Sequence, residues 1–417
     1  MILPKYSLGI GDRFGRQGRA QLAAVVQAGA RGVEITPVWN KSNREHVITR
    51  TRPESVRAEA DAAVSALDWR RPYFVDADHI TLKTVDPFIG ASDFFTIDVT
   101  DFVGRPAPEP DVQNFVARYR RYAARDVIPG APTASPDDIA ATARKFLPAI
   151  REAGAIYQRV EAAKGRGRFV TEVSIDETDE PQTPADLLFI LAAIAAEAIP
   201  LQTIAPKFAG RFNKGVDYVG DVAQFEKQFG EYLAVVALAV REFDLPANLK
   251  LSVHSGSDKF SIYGPMAHAL RQHGAGLHLK TAGTTWLEEV AGLAQAGGAA
   301  LTLVQEIYTQ AHARIEEVCA PYAAVIDIDR RRLPSPETVR SWSGADYVAA
   351  LHHDQHCPAY NPHFRQLLHV GFKVAAEMGA QYLQALDAHA DMIGPLVTEN
   401  LLERHVLAVF GEVAVPR

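Results

Sequence analysis

Four short stretches of this chain end in side chains able to bind a metal or move a proton: "YFVDADH" (73–79), "FVTEVSID" (169–176), "LKLSVH" (249–254) and "GLHLK" (276–280). Their residues alternate. Leu249, Leu251 and Val253 fall on one face of the third stretch, and Lys250, Ser252 and His254 on the other. Glu172, Ser174 and Asp176 oppose Val173 and Ile175, and His278 and Lys280 oppose Leu277 and Leu279. Neighbouring residues of a strand point to opposite sides, so each polar set shares a face. The first stretch places Asp76, Asp78 and His79 at its lip. Three histidines from three strand ends, His79, His254 and His278, can converge on one divalent ion with an open position. Imidazole suits zinc or manganese better than magnesium. Carboxylates alongside, as on the 73–79 and 169–176 stretches, can orient ligands or move protons. Taken singly, a histidine at a strand end is more often a hydrogen-bonded core residue, and a lone carboxylate a salt-bridge member. Several polar faces together are harder to explain as packing.

A louder signal is "HHDQHC" (352–357), with three histidines, an aspartate and a cysteine in six residues. It lies outside any strand and its spacing fits no ligand set, so it is expected to line the mouth or form a surface loop. "HSGSDKF" (254–260) and "KTAGTTW" (280–286) are rich in Gly, Ser and Thr and suit loops that bind a polyol or an anion. Ser255, Asp258, Lys259 and Lys280 are therefore candidate substrate contacts, together with Asp176 and, more weakly, Arg13 of "RFGRQGR" (13–19).

Polar strand faces need a scaffold that turns them inward. In a (β/α)₈ barrel the outer face meets helices and must be apolar, while catalytic groups sit at the C-terminal strand ends. Strand-like runs at 6–10, 32–38, 73–79, 169–176, 201–208, 249–254 and 276–280 alternate with helical patterns at 19–29, 53–66, 184–197, 221–243 and 287–296. That gives seven strands, and "AAVIDID" (323–329) is the candidate eighth. A doubly wound sheet is the rival, but no G-x-G-x-x-G follows the first strand. The expectation is one α/β barrel domain spanning 1–417, with a helical insert after the third strand at about 100–168 and a helical C-terminal extension at about 330–417.

Composition narrows the function. With 417 residues, 47% apolar and 22% charged, the chain is of ordinary globular type and long enough for a large core. A net charge of −7 offers no basic surface for nucleic acid or anionic lipid. Cys319 and Cys357 form no C-x-x-C pair, which fits a reducing cytoplasmic setting. The start "MILPKYSLGIGDRFGR" has no basic region before a long apolar run, so no signal peptide is expected. No run reaches 18 apolar residues, so no membrane span is expected. The expected partner is a small molecule, with self-association left open.

Beyond these patterns, the chain resembles the tagaturonate epimerase family, metal-dependent epimerases of ketohexuronates. The resemblance rests on "GDRFG" (11–15), "DADH" (76–79), "FFTIDV" (94–99), "EVSIDET" (172–178), "KGVDYVGDVAQFE" (214–226), "HSGSDKFSIY" (254–263), "KTAGTTWLE" (280–288) and "RQLLHV" (365–370). It implies a divalent metal on His79, His254 and His278, an acid/base pair of Asp78 and Glu172, and a ketohexuronate or related ketose as substrate. Tagaturonate and fructuronate differ at the carbon β to the ketone, where proton abstraction gains no resonance help. With no nucleotide fingerprint for transient oxidation, retro-aldol cleavage and re-addition is the expected route. The alternatives are a class II-type aldolase or a metal-dependent sugar isomerase using the same site, and a sugar-binding module without chemistry.

Overall fold

The computed structural model describes residues 1–123, 131, 133–281 and 283–413. Part of the Pro-rich "PGAPTASP" and the extreme C-terminus lie outside them. Eight strands close into a parallel barrel in sequence order: β1 (Tyr6–Ile10), β2 (Thr36–Ser42), β3 (Phe74–Ile80), β4 (Phe94–Asp98), β5 (Val170–Ser174), β6 (Thr203–Ala205), β7 (Lys250–His254) and β8 (Leu277–Lys280). β8 pairs back onto β1, Ser7 facing His278 and Gly9 facing Lys280. This is a (β/α)₈ barrel.

Each of the seven runs read from the sequence holds part or all of a strand, but β2 lies four residues later than 32–38 and β6 is only Thr203–Ala205 within 201–208. The eighth is not at 323–329, where a 3-10 turn (Ala320–Val325) leads into irregular chain. It is β4, the "FFTID" of the motif "FFTIDV" (94–99). Between β3 and β4 there is no α-helix, only a 3-10 turn at Asp86–Phe88, so a search for strands separated by helices passes over it. The long excursion consequently follows the fourth strand and not the third. It carries helices Glu109–Tyr119 and Pro136–Lys164, the latter opened by a Ser135 capping box.

Alternation does the sorting. Leu8, Ile10, Val75, Ala77, Phe95, Ile97, Val173, Ile204, Leu251, Val253, Leu277 and Leu279 belong to the core shared with the surrounding helices. Burying a Leu or Ile side chain there stabilises by about 1.5–3 kcal/mol. A second, separate cluster of Leu3, Val38, Phe74, Phe94 and Val170 plugs the lumen at the N-terminal ends of the strands. Above this plug the lumen is polar. Beyond β8, helices run from Thr284 to Phe410, and among them Pro362–Val370 lies at the C-terminal strand ends: Arg13 Nη1 donates to His369 O at 3.0 Å and Trp286 Nε1 to Leu368 O at 2.8 Å. Among the described residues no helix is long and apolar enough to cross a membrane.

Candidate active site

The polar faces of β3, β4, β5, β7 and β8 meet inside the barrel around one amine. Lys280, at the end of β8, is fully buried. Its Nζ lies 2.7 Å from Asp76 Oδ2, 2.9 Å from Asp78 Oδ1 and 3.1 Å from Glu172 Oε1. It also donates to Thr96 Oγ1, whose hydroxyl in turn is 2.9 Å from Asp76 Oδ2 and 3.1 Å from Glu172 Oε1. Burial alone would lower the lysine pKa, but Asp76, Asp78 and Glu172 hold it well above its ordinary value. Burial would likewise raise both Asp78 and Glu172. Lys280 and a neighbouring histidine outweigh it, keeping each well below the usual carboxylate range. For Asp76 burial wins over Lys280 and its pKa rises to about 6.

Above this hub sit two imidazoles and a further carboxylate. His254 Nε2 is 2.9 Å from Glu172 Oε1 and its Nδ1 is 3.1 Å from Asp176 Oδ2. His79 Nδ1 is 2.9 Å from Asp78 Oδ1, and His79 Nε2 is 3.7 Å from Asp176 Oδ1. The two rings lie edge to face with centroids 5.0 Å apart. Burial disfavours both imidazolium forms, yet Asp176 at His254, and Asp78 with Asp176 at His79, raise both pKa values. Donor atoms of His79, Asp176 and His254 all lie within 4.8 Å of one another, a group able to hold a metal ion.

Asp78 and His79 are consecutive, and a regular strand would point them apart. Both reach the same site because β3 is irregular there. Its register against β4 shifts between Ala77 and Ile80, and His79 has φ of 51°. A non-glycine residue held in the left-handed region is a costly conformation found preferentially where function needs it.

Not every expected residue arrives at the mouth. His278 does not join the other two histidines. It stands one inward position below Lys280, level with Ser7 and Ser252. Its Nδ1 is 2.9 Å from Ser7 Oγ, its ring packs on Phe94, and burial pushes its pKa down to about 3. Asp176, expected as a substrate contact, takes the third place in the group. Ser255 turns away and donates to Lys280 O at 2.8 Å. Asp258 and Lys259 have no exposed surface and also leave the substrate side. Asp258 accepts from Arg365, His353 and His405, and Lys259 Nζ donates to Asn213 O and Val216 O. Arg13 is committed to Glu45 and to the carbonyl of His369. In "HHDQHC", His353 is the buried partner of Asp258 and exposed His352 meets Arg404. No metal-holding group forms there among the described residues. Thr96 went unforeseen because its strand did. The signal was present in the alternation of Phe95 and Ile97 against Thr96.

A closed parallel barrel with carboxylates, imidazoles and an ammonium converging at the C-terminal strand ends is the design of a barrel enzyme. Residues 2–386 match the family described as tagaturonate epimerase, and the chain belongs to that family. The protein is a carbohydrate epimerase. It is similar to the tagaturonate/fructuronate epimerase of Thermotoga maritima, 26% identical over 96% of this chain and 80% of that one. Its backbone is similar to the native crystal structure of fructuronate-tagaturonate epimerase from Cohnella laeviribosi, with a TM-score of 0.80, 23% identity, and coverage of 99% of this chain and 82% of that one. A glycerol complex of the same Cohnella protein superposes at a TM-score of 0.78 with 23% identity, again over 99% and 82% of the two chains.

Proposed function

We propose that this enzyme interconverts D-tagaturonate and D-fructuronate by cleaving and re-forming the bond between the carbons α and β to the ketone. The observation that carries the reading is the lysine-centred carboxylate hub directly beneath the His79–Asp176–His254 group, in a chain matched to the family over 2–386. The donor set fits a divalent metal: two imidazoles and a carboxylate suit zinc or manganese. Four carboxylates, Asp76, Asp78, Glu172 and Asp176, against the single lysine Lys280 also leave an excess of negative charge for a dication. Such an ion, held by His79, Asp176 and His254, would supply Lewis-acid polarisation of the ketone.

The chain's own residues supply the proton transfers. Lys280 keeps Asp78 and Glu172 ionised, so each holds a lone pair able to accept a proton. Glu172 Oε2 is buried and has no partner among the described residues, so it is free to take the β-hydroxyl proton. Loss of that proton lets the bond between the α and β carbons break, giving an enediolate and an aldehyde. The aldehyde turns, the enediolate re-adds to its other face, and the proton that Glu172 took returns to the new alkoxide by way of Asp78, which accepts it from Glu172 and passes it on. Each carboxylate thus acts as base in one direction and acid in the other. Two unpaired cysteines support a cytoplasmic setting.

Incubating the enzyme with D-fructuronate in D₂O and following it by NMR tests the reading. We expect D-tagaturonate without deuterium at the epimerised carbon. Stoichiometric deuterium there would exclude cleavage and make the two carboxylates a direct deprotonation pair. Accumulation of a three-carbon product would mark an aldolase.

A further inference from the structure

Three glycines from three different loops face one another on the C-terminal side of the barrel. Gly215 follows β6, Gly256 follows β7 and Gly283 follows β8, and all have positive φ: 78°, 65° and 119°. The positive φ strains a side chain at each, and at Gly283 there is also no room for one. A Cβ on Gly283 would stand 2.7 Å from the His369 ring and 2.9 Å from Gly256 O; one on Gly215 would be 3.3 Å from His369 Cβ. A Cβ on Gly256 would come 3.1 Å from Lys214 Nζ. The bare backbone thus lets Lys214 and His369 close in on the loops that leave β7 and β8, a region where barrel enzymes often bind anions.

Both side chains carry unused donors. Among the described residues no carboxylate lies within ion-pair distance of Lys214, whereas Arg13 has Glu45 at 3.1 Å and Arg365 has Asp258 at 2.8 Å. His369 is 1% exposed. Its Nε2 is 3.3 Å from Arg13 Nη2, and a guanidinium can only donate, so Nε2 carries the lone pair. The proton of the neutral ring is then on Nδ1, which is buried and has no partner among the described residues. Burial first, then Arg13, Lys214, Arg365 and Lys259, hold the His369 pKa well below its ordinary value, which keeps the ring neutral. The cradle is stiff, since Gly215 N donates to Ser257 Oγ at 2.9 Å and its carbonyl accepts from Arg365 Nε.

We propose that Lys214 Nζ and His369 Nδ1–H bind the carboxylate of the substrate and so select hexuronates over neutral ketoses. The cradle is one sugar away from the chemistry: Gly256 is two residues past His254, a reach of roughly 7 Å. The inference rests on the hexuronate reading above, and its test separates the two. Wild type, Lys214→Met and Lys214→Arg are assayed on D-fructuronate and on D-fructose, and their binding of D-gluconate and of neutral D-glucitol is measured by calorimetry. Lys214→Met should raise KM for fructuronate by roughly 10- to 100-fold, the range for losing a hydrogen bond to a charged group. Its kcat should stay within a few-fold, because uniform binding is lost and not transition-state stabilisation. Its parameters for fructose should not move, and Lys214→Arg should recover most of the loss. Gluconate affinity should fall in parallel and glucitol binding should be indifferent. If Lys214→Met proves unstable, Lys214→Gln carries the same expectation. Equal changes on both substrates, or none, would overturn the carboxylate assignment while leaving the epimerase intact. A wild type inert on fructuronate would overturn the proposed function, and the gluconate arm would still decide the anion site.

Discussion

Two knots of histidine and carboxylate lie on the C-terminal side of this barrel, built from the same residue types and put to different use. In one, Asp258 accepts from Arg365 and His353 through Oδ2 and from His405 through Oδ1. Tyr263 backs His405 at 2.8 Å. The side chains of Asp258, His353 and His405 have no exposed surface. In the other, His79 and Asp176 keep about a fifth of their side-chain surface open, at 23% and 21%. Glu172 Oε2 has no partner among the described residues and His79 holds a strained backbone. Chemistry needs a way in from solvent, which the closed Asp258 knot does not offer. Its carboxylate ties three remote segments, the 352–357 loop, helix Pro362–Val370 and the turn at Asn400–Val406, to the loop after β7. Residue type is a poor guide to function until closure is known.

The comparison breaks or holds first on metal content. His254→Ala should strip the ion and with it nearly all turnover, because His254 sits between Asp176 and Glu172 in the open knot. His278→Ala should keep the ion, since His278 is bonded to Ser7 one level lower. Elemental analysis of the two purified variants decides it. Loss of the metal in His278→Ala would restore the three-histidine set that the sequence suggests.

The second test opposes the two carboxylates. Glu172→Gln keeps shape and removes proton transfer, so turnover should drop by roughly 10²–10⁴-fold while the melting temperature barely changes. Asp258→Ala should do the reverse. It leaves the Arg365 cation buried without a counter-charge, which costs about 3–5 kcal/mol of stability in denaturant titrations. Turnover per folded molecule should stay near wild type. A stable, inactive Asp258→Ala enzyme would move that knot into the catalytic machinery.

How far the sequence leads follows from the range of the forces involved. Period-2 alternation is local, so the inward faces of β3, β5, β7 and β8, and with them Asp78, Glu172, His254 and Lys280, are legible without a structure. β4 is hidden by a non-local convention, the expected helix between strands, and Thr96 is lost with it. The turn of His79 toward Asp78 depends on one φ angle that no residue pattern announces. Arg13 and Asp258 are consumed by C-terminal segments, contacts between positions up to 356 apart, and Lys259 by carbonyls of the loop after β6. The loudest run, "HHDQHC", misleads for the same reason, since His353 finds Asp258 across 95 residues.

The smallest effect separates the knots by sign. Burial outweighs the pull of Asp258 at His353 and lowers its pKa. The unfolded chain then binds more protons than the folded one between that lowered value and the ordinary pKa near 6.5, so this residue's contribution to stability rises with pH up to about 6.5. At His254 burial is outweighed by Asp176 and the pKa is raised. There the folded, metal-free protein binds the extra proton. Its contribution is complete below about 6.5 and is lost as pH climbs through the raised value. Chelator-treated wild type, His353→Asn and His254→Asn can be unfolded in urea at intervals from pH 5 to 9. Relative to wild type, His353→Asn should flatten the rise on the acid side of about 6.5, and His254→Asn should flatten the fall on the alkaline side. Matching curves for the two variants would mean that the knots share one electrostatic regime, and that the contrast between a closed brace and an open site does not extend to their protons.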